Sequence, residues 1–326
     1  MAASLQGWLP VAVRIESRAP RFELARLGDL HLTAPFFEES LAGQMHRPFH
    51  QLFRRSISLG EAEAWLVEHP GLAPTGFIFH VSRCGSTLVS QLLADSPAHR
   101  VLSEPGPVDR VLRAAVDDGQ RRRWLRAVLG LLAQPARETE RRLFVKFDSW
   151  HALHMEQIRA CYPEVPCLVL VREPLEVIAS HLRAPGAQMV PGMLGYALPG
   201  LDPATSWQLP REVYAARVVE TLQAALLAAL EAAQAAPAHA PLRVIDYARL
   251  VSALDAEVWP LFGWRPDAAE REAAAQAMQR DAKNPSFTFA PDVEAKRRQA
   301  SAAVHAAAEV HCVDSYRRLL ALQTPA

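Results

Sequence analysis

The feature that most constrains this sequence is a buried-strand pattern that runs through a polar loop into a helix. Residues 76–81 (Gly-Phe-Ile-Phe-His-Val) are mostly apolar and rich in β-forming side chains, and the apolar spacing of residues 87–93 is helical. Strands that alternate with helices predict an α/β fold, a parallel sheet flanked by helices on both faces. Further strands are predicted at 143–147, 166–171 and 242–246, with helices at 175–182, at 211–235 and over the C-terminal 30 residues.

The first 70 residues lack this alternation. They are predicted to form a small N-terminal extension, followed by a main domain over residues 71–326. Within the extension, residues 33–36 predict a helix start with Thr33 as the cap and Pro35 in the first turn. Residues 62–67 predict a second short helix. No motif in the extension indicates a chemistry of its own.

Charge and hydropathy narrow the class of function. The 326 residues include 35 basic and 35 acidic side chains, so no overall field attracts nucleic acid or an anionic membrane. The N-terminus lacks the basic and apolar regions of a signal peptide. The longest apolar tract, residues 224–236, is interrupted by Glu231 and Gln234. We therefore expect no membrane span and no nucleic-acid partner, and an anionic ligand would need a local site.

Cysteine and histidine spacing gives no support for a metal or a disulfide. The four cysteines, at positions 84, 161, 167 and 312, show no paired spacing of either kind. His151 and His154 stand one helical turn apart, but the sequence offers no third ligand beside them. A reduced, cytoplasmic setting without a bound metal is therefore expected.

The loop between the first predicted strand and its helix has the composition of an anion site. It consists of Ser82, Arg83, Cys84, Gly85, Ser86 and Thr87. The first N–H groups of a helix lack internal partners, and the helix dipole favours negative charge there. Glycine allows a phosphate to approach the backbone closely, and Arg83 adds a fixed charge. The tripeptide Gly-Ser-Thr alone equally fits an ordinary turn, but the preceding strand and the arginine favour an anion site.

Two related loops are excluded by position. A Walker A loop has a glycine four residues before Gly-Lys-Ser/Thr, whereas position 80 is histidine and Gly85 runs directly into Ser86. A phosphatase loop with Cys-x5-Arg spacing from Cys84 would place arginine at position 90, which is serine. A magnesium-dependent nucleotide kinase is therefore disfavoured.

The loop resembles the 5′-phosphosulfate loop of the sulfotransferase family, Pro-Lys/Arg-Ser-Gly-Thr-Thr. A second motif of that family, an arginine at a strand end with a serine eight residues later, is matched by Arg172 and Ser180. The resemblance covers residues 76–183 and implies a P-loop-like sulfotransferase fold. It further implies that the loop and these two residues bind 3′-phosphoadenosine 5′-phosphosulfate (PAPS) as the donor co-substrate. Taken on its own, Arg172 also fits a structural ion pair with Glu173 or Glu176.

Weaker matches extend the resemblance. Tyr247 is similar to the tyrosine of a Tyr-Glu-x-Leu-Val element near the nucleotide, although Ala248 replaces the glutamate. Lys283 resembles a residue of the late loop that closes over the donor. The motif spacing is closest to the tyrosylprotein sulfotransferase-like branch, because Glu104 follows Arg83 by 21 residues.

Two positions depart from the family loop. Ser82 replaces its proline and Cys84 replaces its serine. Because Cys84 lies beside Arg83 and a helix N-terminus, we expect a lowered thiol pKa.

The resemblance implies metal-free transfer of a sulfuryl group to a hydroxyl or amine. Arg83 and Lys146 are then expected to stabilise the moving group and the leaving phosphate, with Glu104 as the general base. Asp148 and His151 are reserve candidates for the base. Two structural alternatives stay open, an ion pair of Lys146 with Asp148 and a surface turn capped by Glu104.

The sequence does not identify the acceptor. Small molecules, carbohydrates, lipids and peptides are all considered. Its pocket is expected along residues 184–208 and parts of the first 70 residues, because variable loops set specificity. Two other functions are considered, a P-loop-related nucleotide kinase or hydrolase and a nucleotide-binding protein without catalysis.

Overall fold

The computed structural model describes residues 4–16, 18–235, 240–278 and 300–322. The strands are β1 (Trp8–Glu16), β2 (Ala19–Arg26), β3 (Arg54–Ser58), β4 (Pro74–His80), β5 (His99–Ser103), β6 (Arg142–Lys146), β7 (Cys167–Val171) and β8 (Leu242–Asp246). Strands β4 to β8 form one parallel sheet in the order β5-β6-β4-β7-β8. This sheet, flanked by helices, confirms the predicted α/β fold.

The helices connect these strands and cover the sheet. They are α1 (Phe37–Met45), α2 (Pro48–Leu52), α3 (Leu59–Glu68), α4 (Ser86–Ala94), α5 (Gly106–Leu112), α6 (Asp118–Leu132), α7 (Met155–Cys161), α8 (Pro174–Arg183), α9 (Pro203–Ser206), α10 (Arg211–Ala235), α11 (Leu250–Ala253), α12 (Trp259–Leu261), α13 (Ala268–Ala277), α14 (Ala302–His311) and α15 (Val313–Ala321). Short 3-10 and π segments lie at Ser149–His154, Ala187–Met189, Tyr247–Arg249 and Leu254–Val258.

The four predicted strands of the main sheet are present as β4, β6, β7 and β8. Every residue of β7 is buried, which is why its sequence is a continuous apolar run. The predicted helices at 175–182 and 211–235 correspond to α8 and α10. The predicted C-terminal helix is two helices, α14 and α15, because the backbone departs from helical geometry at Cys312.

The sequence analysis missed β5, which begins with the polar pair His99 and Arg100. Both residues are buried, at 1% and 3% exposure. The Arg100 guanidinium donates to the Leu132 carbonyl at 2.7 Å and pairs with Glu140 at 3.4 Å. Strands were predicted from continuous apolar runs, and a strand that contains a buried, paired charge does not have such a run. The strand places the candidate base Glu104 directly after the end of β5 rather than in a surface turn.

The N-terminal residues form a second sheet that the sequence analysis also missed. It is antiparallel, with the order β1-β2-β3. The predicted cap at Thr33 is wrong, because α1 begins at Phe37 and Phe36 occupies the N-cap position. The predicted helix at 62–67 lies within α3.

Helix α10 is the longest helix of the described residues. By length and composition its segment Arg211–Gln234 is apolar enough to cross a membrane, with a mean hydropathy of 1.4. However, 61% of the most apolar 18-residue stretch of this helix is buried inside the protein. The helix packs there against α8, α14 and α15. The core helix of a folded domain has the same composition, so this helix is weak support for a membrane span.

Candidate active site

Most of the candidate residues follow directly on the ends of the parallel strands. β4 leads into the loop 82–87, β5 is followed by Glu104, β6 ends on Lys146, β7 is followed by Arg172 and β8 by Tyr247. Because the five strands are parallel, these ends lie along one edge of the sheet. Ligands of open α/β sheets bind in the crevice at this carboxyl edge. The fold therefore brings together residues that are far apart in sequence.

The backbone of the loop 82–87 has a strained conformation. Ser82 and Arg83 have positive φ angles of 73° and 54°, and Glu104 across the edge has a φ of 55°. Such a conformation costs about 1–3 kcal/mol for a residue other than glycine, and it persists where the surroundings enforce it, often at ligand sites. The loop ends where α4 begins, at Ser86. A helix N-terminus of this kind favours an anion.

Gly85 is required at the centre of the loop, because its φ is 83° and a side chain would not fit. A Cβ atom would lie 2.6 Å from Cδ2 of Leu250 and 3.0 Å from Cδ2 of Tyr247. We expect Gly85→Ala to lower the free energy of unfolding by about 2 kcal/mol, measured by urea denaturation, and to weaken nucleotide binding. Gly60→Ala is the matched control, since a Cβ there meets nothing within 4 Å. Nucleotide binding by Gly85→Ala that equals wild type would contradict this role.

Two histidines, neither of them singled out in the sequence, hold Ser82 from opposite sides. The Ser82 N–H donates to Nδ1 of His80 at 3.0 Å. The Ser82 hydroxyl lies 3.0 Å from Nε2 of His181, whose Nδ1 accepts from the Gly186 N–H at 3.3 Å. Both histidines are buried. A histidine at the last position of a buried strand, directly before a polar loop, was the available sequence signal for His80.

A buried ion pair links the ends of β5 and β6. The Lys146 ammonium is fully buried and lies 2.5 Å from Oε1 of Glu104. It also lies 3.4 Å from the Thr87 hydroxyl and 3.5 Å from the Ser103 hydroxyl. The alternative ion pair of Lys146 with Asp148 is not the contact observed. The ammonium therefore joins the candidate base to the end of the loop 82–87.

The protonation state of Glu104 is set by two neighbours. Burial alone would raise the pKa of its carboxyl, but Lys146 and His80 together hold that pKa well below its usual range. For His80, burial is the largest influence and lowers the pKa of the imidazole. The resting site therefore contains a carboxylate, an ammonium close to it and a neutral imidazole.

The two candidate arginines also contact the loop and its surroundings. Nη2 of Arg83 donates to the Ala184 carbonyl at 2.5 Å, at the end of α8. Arg172 is buried, donates to the Arg83 carbonyl at 2.9 Å and pairs with Glu176 at 2.8 Å. The ion pair that the sequence left open is therefore present, with Glu176. The remaining nitrogen, Nη2 of Arg172, is buried and has no hydrogen-bond partner among the described residues.

The remaining nucleotide candidates fall into three cases. The ring of Tyr247 lies 4.1 Å from the Arg172 guanidinium carbon and packs against Gly85, so it belongs to the loop surroundings. Ser180 is half-buried within α8. Lys283 lies outside the described residues.

The prediction of a lowered pKa for the Cys84 thiol is wrong. The side chain is fully buried, and burial raises its pKa to about 12 despite the nearby Arg172 and Lys146. Proximity to a helix N-terminus does not lower a thiol pKa where no water reaches the sulfur.

This burial predicts a slow reaction of the native thiols. All four cysteines are buried, so we expect the folded protein at pH 8 to react with iodoacetamide at least about 100-fold more slowly than the urea-unfolded chain. Mass spectrometry of the labelled peptides would check this, with the unfolded chain as the control. Rapid labelling of Cys84 in the folded protein would contradict the burial and the raised pKa.

A second polar cluster lies beyond the end of β6. Nε2 of His151 lies 3.0 Å from Asp109, and its Nδ1 lies 3.6 Å from Asp148. Burial, with Glu104 and Asp109 nearby, raises the pKa of Asp148 well above its usual value. Asp109, which the sequence analysis missed, also accepts from Trp150 at 2.7 Å.

These three side chains are close enough to be considered as ligands of one metal ion. However, Asp109 is already paired with Arg113 at 2.6 Å, in addition to His151 and Trp150. The cluster is therefore satisfied internally, and it supports a structural role better than a metal site or a base.

The N-terminal extension contributes directly to the candidate site. The Phe36 ring centre lies 4.9 Å from the Lys146 ammonium, and the Ser103 hydroxyl donates to the Pro35 carbonyl at 2.8 Å. The Glu38 carboxylate accepts from the Gly106 N–H at 2.8 Å, at the start of α5. Residues 35–38 therefore pack over the ends of β5 and β6.

The segment 184–208 lies on the other side of the loop. Gln188 donates to the Ser149 hydroxyl at 3.2 Å, while a pocket of about 180 Å³ lies between this segment and the start of α10. Its lining is mainly apolar, and Trp207 on its rim is 65% exposed. His181 borders the pocket and the loop at once.

Comparisons with known proteins give structural similarities only. No protein-family model and no curated protein matches the sequence. The sulfotransferase domain of the Synechococcus PCC 7002 olefin synthase is 17% identical, with a TM-score of 0.42 over 74% of this chain and 96% of the domain. The sulfotransferase domain of the curacin biosynthetic pathway is 17% identical, with a TM-score of 0.43 over 74% and 98%.

A sulfotransferase from Mycobacterium avium is 12% identical, with a TM-score of 0.40 over 74% of this chain and 80% of that protein. The similar structures do not single out the tyrosylprotein branch. Because identities and TM-scores are low, the fold rests on the chain's own sheet topology, and a function rests on its own site.

Proposed function

We propose that this chain is a sulfotransferase that moves a sulfuryl group from PAPS to a hydroxyl or amine. The observation that carries the proposal is the position of the buried Lys146 ammonium, which contacts both the Glu104 carboxylate and the Thr87 hydroxyl. A cation, a carboxylate and an anion-binding loop thus meet at the carboxyl edge of a parallel sheet. Sulfuryl transfer uses these three groups.

The proposed donor site extends from the loop 82–87 towards Arg172 and Ser180. Buried polar atoms normally have partners, and no residue in the described part of the chain supplies one to Nη2 of Arg172. A phosphate oxygen would supply a charge-assisted hydrogen bond there. The stacked ring of Tyr247 and the strained loop support the same location for a nucleotide with 5′ and 3′ groups.

The proposed reaction forms a bond between the acceptor oxygen or nitrogen and sulfur, and it breaks the bond between sulfur and the phosphate oxygen. Glu104 takes the proton that the acceptor loses. Lys146 and Arg83 stabilise the negative charge that develops on the sulfuryl oxygens and on the leaving phosphate. No proton or electron is needed from another reactant.

The Lys146–Glu104 ion pair explains how a carboxylate with a low pKa can act as a base. In the resting site the ammonium lies close to Glu104 and lowers its affinity for a proton. When an anionic donor draws the ammonium towards its own oxygens, that stabilisation of the carboxylate weakens and its pKa rises. The base is therefore strengthened by donor binding.

The acceptor is proposed to bind between residues 35–38 and the segment 184–208. Phe36 packs beside Lys146 on one side, and His181 and Ala184 contact the loop on the other. Incubation with ³⁵S-labelled PAPS and separate pools of carbohydrates, lipids, phenols and peptides would identify the acceptor class. Label transfer that is lost in Glu104→Gln is the expected result. Failure of the wild-type protein to bind PAPS at all would overturn the proposal.

A further inference from the structure

His80 has no part in the proposed transfer of the sulfuryl group or of the proton, yet it lies at the centre of the site. It is the last residue of β4 and is 4% exposed. Its Nδ1 accepts the Ser82 N–H at 3.0 Å, so in the neutral ring the proton is assigned to Nε2. Nε2 lies 3.4 Å from Oε1 of Glu104. One imidazole therefore spans the donor loop and the base.

The contact with Glu104 is close but incomplete. Within the described ranges, the buried Nε2 of His80 has no well-aligned hydrogen bond, although the carboxylate oxygen is 3.4 Å away. A buried N–H without a partner is unfavourable by about 1–3 kcal/mol, so it normally has a reason. Here the oxygen that it faces is already engaged at 2.5 Å by Lys146.

We propose that His80 is a positioning residue that couples the donor loop to the general base, an inference that rests on the proposed role of Glu104. When Lys146 turns from Glu104 towards the donor, the Nε2–H of His80 takes over the released carboxylate oxygen and keeps it oriented. At the other end of the ring, Nδ1 holds the strained backbone of Ser82, and through it the loop. The same side chain thereby orders the donor site and the base.

Replacing His80 with asparagine or with glutamine keeps one of its two contacts and removes the other. The amide oxygen of asparagine can take the place of Nδ1, and the amide nitrogen of glutamine can take the place of Nε2. We expect His80→Asn to bind 3′,5′-adenosine diphosphate as wild type does and to lose kcat by about 10²-fold, because the base is misplaced. We expect His80→Gln to retain most of kcat and to bind the nucleotide about tenfold more weakly, because one loop hydrogen bond is lost.

The pH profile gives a readout that loss of packing alone would not change. Protonation of His80 would remove the Nδ1 acceptor, and the charged groups that face this ring are Glu104 and Lys146. Since burial lowers its pKa from 6.5, wild-type activity should fall only as the pH drops below that value. In His80→Asn and His80→Gln the limb due to His80 should be absent, so that only the limb set by protonation of Glu104 remains.

His99→Gln is the matched control, because His99 is another buried histidine and lies at the opposite end of β5 from Glu104. Thermal unfolding would show that a variant is folded before its kinetics are compared, and His80→Gln keeps the test open if His80→Asn unfolds. Wild-type kcat in a folded His80→Asn, or an acid limb unchanged in both variants, would overturn the inference. Absence of nucleotide binding by the wild-type protein would instead overturn the proposed function.

Discussion

Replacing Glu104 with glutamine is expected to lower kcat by about 10²–10⁴, because the acceptor then keeps its proton as the new bond forms. Glutamine retains an oxygen that can accept from Lys146, so the contact at the end of β6 survives. The dissociation constant for 3′,5′-adenosine diphosphate should therefore stay close to that of wild type. Label transfer from ³⁵S-labelled PAPS and calorimetry would measure the two quantities separately.

Asp148→Asn is the control for this assignment, since Asp148 was a reserve base. It lies in the cluster with His151 and Asp109, whereas the Lys146 ammonium contacts Glu104. We expect a much smaller loss of kcat from this change than from Glu104→Gln. Full turnover by Glu104→Gln, or a larger loss in Asp148→Asn, would show that the base is assigned to the wrong residue.

Replacing Lys146 with methionine is expected to affect both stability and catalysis. Removal of one partner from a buried ion pair destabilises a protein by about 3–5 kcal/mol. The lower end applies here, because the Glu104 side chain is 21% exposed and can be partly solvated. Loss of a preorganised charge at the reacting group should also lower kcat by about 10²–10³. Urea denaturation and label transfer measure the two effects.

The double variant Lys146→Met/Glu104→Gln separates the two effects of Lys146. It leaves no unpaired carboxylate at the ends of β5 and β6, so it should recover most of the stability lost in Lys146→Met. Its kcat should stay at or below that of the worse single variant. Recovery of wild-type activity along with stability would mean that neither Lys146 nor Glu104 takes part in the transfer.

The parts of the fold that followed from the sequence are those that bury apolar runs. β7 is fully buried and its five residues are apolar, so the pattern alone predicts it. β5 was not predicted, because its Arg100 is buried with Glu140 as its partner. That pairing joins residues that are distant in sequence. The N-terminal strands β1, β2 and β3 were also not predicted, although they form an antiparallel sheet whose first strand packs against α5 and α6.

The sequence predicted which residues form the candidate site better than it predicted the contacts between them. The loop, Lys146 and Glu104 were singled out, but an ion pair of Lys146 with Asp148 was left open and the contact of Lys146 with Glu104 was not predicted. Only the register of β5 against β6, in which Ser103 lies beside Lys146, brings Glu104 next to the ammonium. The raised pKa of Cys84 likewise depends on how deeply the loop is buried, which a motif does not show.

For Arg172, the sequence predicts one contact of the guanidinium but not the surroundings of its other nitrogen. Its spacing from Glu176 is that of an i, i+4 ion pair, and this pair forms. The sequence could not show that one nitrogen of the same guanidinium would find no partner among the residues that the structure describes. That unpartnered nitrogen is what connects Arg172 to a proposed 3′-phosphate.

Calorimetric titration of the wild-type protein with three nucleotides tests the proposed donor site most directly. We predict that 3′,5′-adenosine diphosphate binds once per chain, about 10–100-fold more tightly than 5′-adenosine monophosphate, since the 3′-phosphate adds charge-assisted hydrogen bonds. ATP with magnesium should bind more weakly than 3′,5′-adenosine diphosphate. Equal affinity for the monophosphate and the diphosphate, or a preference for ATP with magnesium, would contradict a site built for a 3′-phosphorylated sulfuryl donor.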